Sequence, residues 1–123
     1  VNEALGILDG LWQVSVEGTV ATPPSEPTVG ECWIVASAAT GEWIGEDSKL
    51  ALWSESGWSF ISPVQGMFVF DKSSSQFRRY DNGWNAADPA SAPQGGSVID
   101  VEARAAIGEL VAALRTFGVF PPS

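Results

Sequence analysis

The chain has 123 residues with six Trp and 45% hydrophobic side chains, enough for one domain with a true core and too apolar for intrinsic disorder. Fifteen acids stand against six bases and no His, a net charge of −9. That balance argues against binding nucleic acid through its phosphates and against docking on an anionic membrane.

The acids are lopsided. Residues 1–48 hold eight of them and no Lys or Arg, which reads as a solubilising face. Cys32 is the sole cysteine, so no internal disulfide can form, and without His there is no Cys/His zinc set. Its setting, Glu31-Cys32-Trp33-Ile34-Val35, reads as a strand with a buried, inert thiol. No apolar run approaches the roughly 18 residues of a membrane span. The chain opens on Val1 without a visible signal peptide, as a processed chain or an excised piece would.

In chain order, Val1, Leu5, Leu8 and Trp12 are spaced by 4, 3 and 4 residues, which predicts an amphipathic helix over 1–16. Asn2 is its candidate N-cap and Gly18 its end, giving a helical segment 1–18. Thr22-Pro23-Pro24-Ser25-Glu26-Pro27 follows as an extended connector, because proline removes amide donors. From Glu31 to Trp84 the pattern turns to short β-type runs: Cys32–Ala36, Lys49–Trp53, Trp58–Ile61, Met67–Asp71 and Phe77–Tyr80, with a weaker one at Gly41–Ile44.

These runs suggest two related units. Pro27-x-x-Gly30, Leu52-Trp53 and Gly57-Trp58 are echoed by Pro63-x-x-Gly66, Arg79-Tyr80 and Gly83-Trp84. The expected fold class is therefore mainly β with flanking helices (α+β). A small antiparallel meander sheet or partly open barrel, built from two repeated units, would occupy residues 19–85. Residues 86–97 are a linker of small residues, Pro and Gly.

The segment 98–123 predicts a second helix. Asp100 is its N-cap, Gly118 its stop, and Pro121-Pro122 forbids continuation. Ala103, Ile107, Leu110, Leu114 and Phe117 repeat at 4, 3, 4 and 3, a stripe suited either to the protein's own sheet or to a second chain. The detaching linker favours the inter-chain reading, which makes these five the candidate oligomer interface.

Little catalytic chemistry can be assembled. Without His, a Ser or Cys nucleophile would need Lys or a carboxylate as base, and Lys49 and Lys72 sit in turn-like contexts. No phosphate-cradling glycine spacing exists, and a calcium site at Glu42, Glu46 and Asp47 would lack the EF-hand ladder. The expectation is a protein that is not an enzyme and carries no cofactor or metal. The aromatics are the informative residues. Trp33, Trp53 and Trp58 suit a core, whereas Trp43 and Trp84, beside turns, are candidates with Tyr80 for stacking against sugar rings.

Asn2-Glu3-Ala4-Leu5 with Leu8-Asp9, Pro23-Pro24-x-x-Pro27-x-x-Gly30, Trp33-Ile34-Val35 and Ala39-Thr40-Gly41-x-Trp43-x-Gly45 together resemble the phage-associated domain of unknown function 2793. The likeness continues through Ala51-x-Trp53, Gly57-Trp58, Pro63-x-x-Gly66 and Tyr80…Gly83-Trp84, covering about residues 2–85. The resemblance implies a virion component of a tailed phage or gene transfer agent, made in a bacterial cytoplasm and exposed on a tail fibre or spike. It further implies other virion proteins as partners and a homo-oligomer with a trimer favoured, while the stacking candidates Trp43, Tyr80 and Trp84 offer the alternative of a carbohydrate-binding module for cell-surface polysaccharide. It carries no catalytic residues over.

Overall fold

The structure is a computed structural model that describes residues 13–90, 94–97 and 100–122. Among the described residues, eight short strands form two four-stranded sheets, and one C-terminal helix follows. The strands are β1 (Val14–Val16), β2 (Thr19–Val20), β3 (Cys32–Val35), β4 (Leu50–Ser54), β5 (Gly57–Ile61), β6 (Phe68–Asp71), β7 (Gln76–Tyr80) and β8 (Trp84–Asn85). The first sheet runs β1-β6-β7-β8 and the second β2-β3-β4-β5. No closed barrel forms.

Each sheet is a three-strand antiparallel meander completed by a strand paired in parallel. Both completing strands come from one extended stretch. Residues 14–16 pair with β6 and residues 19–20 pair with β3. Between them the Glu17 amide donates to the Cys32 carbonyl at 2.8 Å, and the Ile34 amide to the Gly18 carbonyl at 3.0 Å. A single crossing segment thus joins the two sheets.

This corrects two expectations. The helix expected over 1–16 has its first 12 residues outside the described ones, and Val14–Val16 is a strand. Val14 and Val16 alternate with Gln13, Ser15 and Glu17, a period of two that the helical stripe upstream masked. The sheet is also not wholly antiparallel, since both pairings of the crossing segment are parallel.

Alternation along the strands explains the core. Cys32, Ile34, Leu50 and Leu52 project from one face of the second sheet and meet Val16 and Val69 of the first. The opposite face of the second sheet carries Val35 and Ala51, with Trp33, Trp58 and Phe60 packed around them. A sheet apolar on both faces needs a second cover, and Trp43 supplies it, fully buried against Val35 and Ala51. It reaches there from a 3₁₀ turn, Gly41–Trp43, where the sequence suggested a weak strand.

The helix, α1, spans Val101–Thr116. Asp100 caps it by accepting a 2.9 Å hydrogen bond from the Ala103 amide, with Glu102 in the first turn and Arg115 in the last. Gly118 ends it at φ +76°, and here only glycine fits: a Cβ would meet the Phe77 ring at 3.3 Å. The tail then rests on the first sheet. The Phe77 amide donates to the Gly118 carbonyl, and Gln76 Nε2 donates to the Val119 carbonyl at 3.1 Å.

Candidate functional site

Trp43, Tyr80 and Trp84 do not form one site. Trp43 has no exposed surface, so it offers no face to a ligand, and the expectation of an exposed stacking residue is corrected for it. A turn residue is buried here because the turn folds back over the sheet: the Thr40 amide donates to the Ala21 carbonyl at 2.9 Å. Asp47 fixes the same loop by accepting from the Ala38 and Ala39 amides at 3.1 and 3.3 Å.

Tyr80 and Trp84 are brought together edge-to-face at 5.2 Å, both half-buried. Trp84 packs against the inter-sheet core, and its Nε1 donates to the Ser48 carbonyl at 2.8 Å. Its indole is thereby committed to holding the loop of one sheet against the other. Trp84 also lines an open groove of about 530 Å³ with Arg78, Asn82 and Gly83.

A second aromatic pair lies elsewhere. Trp53 and Trp58 face each other across the β4–β5 hairpin, with ring centroids 4.9 Å apart, and Trp58 stands edge-on to Trp43 at 5.1 Å. Pro23 and Pro24 of the proline connector and Thr40-Gly41-Glu42 of the 3₁₀ turn form the other wall of an open groove of about 420 Å³. Pro23 packs against Gly41, where a Cβ would sit 3.5 Å from its Cγ. Sequence reasoning assigned Trp53 and Trp58 to the core. The signal it lacked was that the prolines lie beside the hairpin rather than across it.

The titratable groups near these surfaces have structural work. Glu31 takes the Thr28 amide at 2.9 Å and the Trp33 indole N–H at 3.0 Å, and the Thr28 bond above all holds its carboxyl below the ordinary value. Burial pushes the Cys32 thiol up to about 12, so it stays protonated and a poor nucleophile at neutral pH. Asp71 is buried between the sheets, where burial raises its carboxyl. The Ser73 hydroxyl at 2.6 Å, Arg78 Nε at 2.6 Å and the Ser73 amide at 2.9 Å outweigh that and hold it below the ordinary value. Glu46 pairs with Lys49 at 2.9 Å. Among the described residues, no group of three His, Cys, Asp or Glu side chains is placed to hold a metal ion.

The second accessible surface is on α1. Arg104, Gly108, Val111, Arg115 and Gly118 are its covered or partly covered positions, and only Val111 is a buried apolar side chain within the helix. That is the expected stripe displaced by one residue, a roll of about 100°. The stripe itself is open. Leu110 is 64% and Phe117 75% exposed, Ile107 40% and Leu114 37%, and Ala103 is exposed as well.

No curated protein matches the chain. A family model does match, over residues 1–85, which take in the whole Trp-rich β-body and stop before the linker and α1. The chain therefore belongs to the family described as protein of unknown function, DUF2793.

Proposed function

We propose that this chain is a non-enzymatic structural component of a phage or gene-transfer-agent particle, a tail-fibre or spike part that self-associates through α1 and contributes to host attachment. The observation that supports it is the open stripe of Ala103, Ile107, Leu110, Leu114 and Phe117. A single chain leaves these side chains in water while a neighbouring face of the same helix is covered. Apolar side chains repeated at 4 and 3 residues are what a bundle of identical helices buries. The virion setting rests on the family resemblance and on its reach across the β-body.

In this reading the helices of several copies bundle by their stripes, and each β-body stays docked on its own helix end through the Gly118 tail. A trimer is the favoured state. The acidic first 48 residues then meet a more basic virion partner by charge complementarity.

Light scattering on the purified chain tests this directly. The expected mass is a multiple of 13.0 kDa, with three copies favoured, and Leu110→Glu with Leu114→Glu should return it to one copy. A wild-type chain that is monomeric at high micromolar concentration would overturn the assembly role. Mass spectrometry of purified particles from a producing strain tests the virion setting separately.

A further inference from the structure

We infer that the groove between the proline connector and the Trp53–Trp58 pair is a binding site for a neutral saccharide, taken up by stacking of a pyranose ring. This site is distinct from Trp43, Tyr80 and Trp84 and from the helix stripe, and it does not depend on self-association.

Three features of the groove carry the inference. Its size of about 420 Å³ lies within the range of small-molecule sites. Its floor is aromatic and rigid: Trp53 and Trp58 are paired across the hairpin, and Trp58 is braced edge-on by the buried Trp43. Among the described residues neither Trp53 nor Trp58 spends its indole N–H on a hydrogen bond, unlike Trp33 and Trp84, whose donors are used. Flat apolar faces with free donors at their rim suit a ring whose C–H face is apolar and whose edge is hydroxylated.

The third feature is the charge at the rim. Glu42 is exposed, and among the described residues its carboxylate has no ion pair or hydrogen bond. A carboxylate only accepts, so a ligand here must bring donors. Sugar hydroxyls bring them. A proline-rich peptide, the other ligand that aromatic grooves take, brings fewer donors, because its prolines have no N–H. The charged side chain among those lining the groove is acidic, Glu42, which disfavours acidic polysaccharides. Thr22 and Thr40, joined through their hydroxyls at 3.0 Å, add a hydroxyl pair at the same mouth.

The test is titration of the full-length chain, followed by Trp fluorescence and calorimetry. The probes are gluco-, galacto- and manno-configured neutral hexasaccharides, with polygalacturonate and a proline-rich decapeptide alongside. At least one neutral hexasaccharide should bind, and polygalacturonate should not. Trp53→Ala should weaken that binding about ten-fold or more. Glu42→Gln, at an exposed position that leaves the fold intact, should weaken it several-fold and so stands even if Trp53→Ala fails to fold. Trp84→Phe should leave it unchanged. Binding lost in Trp84→Phe but kept in Glu42→Gln would overturn the groove as the site. Tighter binding of the decapeptide or of polygalacturonate, or no binding of any of the three neutral probes, would overturn the ligand class.

Discussion

The apolar side chains of the β-body and of α1 meet opposite fates. In the body, Ile34, Val35, Leu50, Val69 and Trp43 are buried to within 1%. In the helix, Val111 alone is buried, and Leu110 and Phe117 stand mostly in water. The difference is one of partners. Each face of the second sheet finds a cover within the chain: the first sheet on one side, the Trp43 turn on the other. The helix is tied to the body at its C-terminal end, by the Gly118 tail against Phe77, and its best stripe is left for something else. Burial inside the body serves folding, whereas the apolar surface on the helix is available for association.

The largest effect should come from breaking the body at its most buried side chain. Trp43→Ala removes a full indole from a packed site and should cost about 3–5 kcal/mol, read as a lower urea midpoint. Against a domain stability of roughly 5–15 kcal/mol this is near the limit of folding. Arg78→Ala should come next, at about 2–4 kcal/mol, because it strands the buried Asp71 carboxylate with Ser73 as its remaining hydrogen-bond partner.

The same pair sets an acid limit. Asp71 lies below its ordinary value in the folded state, so its contribution is present above the unfolded carboxyl value of about 3.9. It is lost as pH falls through the lower folded value. Arg78→Ala should therefore move acid unfolding to higher pH, as followed by Trp fluorescence. At the alkaline end Cys32 acts in the opposite direction. Its folded value is raised to about 12, so the unfolded chain ionises first and stability falls as pH rises above the ordinary thiol value of 9.0. Between pH 9 and 10 the loss should be roughly 1–2 kcal/mol, and Cys32→Ala should abolish that slope. In the native state the thiol should stay unreactive towards a disulfide reagent until the chain unfolds.

The smallest change in stability should come from the helix, and it sharpens the contrast most. Leu110→Glu sits at a 64% exposed position and should shift single-chain stability by no more than about 0.5 kcal/mol. Its effect should appear in the mass measured by light scattering. An equal loss of stability in Leu110→Glu and Trp43→Ala would mean that the helix stripe packs on the body after all.

Local patterns were readable where one neighbour decides them. The five stronger β-type runs coincide with β3 to β7 to within a residue or two, because alternation and turn residues are properties of a few consecutive positions. The cap at Asp100 and the stop at Gly118 were legible for the same reason. The crossing strand was not, since Val14–Val16 and Thr19–Val20 are too short to announce themselves and are stabilised by parallel partners 15 to 55 residues away in sequence. The burial of Trp43 was not legible on the same grounds. Whether a Trp beside a turn is buried depends on where the turn folds back, and Trp43 is covered while Trp53 and Trp58 border a groove.

The sequence by itself determined the β-rich body, the capped helix and the apolar stripe, because composition and periodicity act locally. Only the tertiary structure decided which face of the helix is covered and which Trp residues line a groove. Both depend on where distant segments meet: the Gly118 tail on Phe77, and the proline connector beside the Trp53–Trp58 hairpin. Such meetings are fixed by the packing of the whole chain rather than by any short stretch of it.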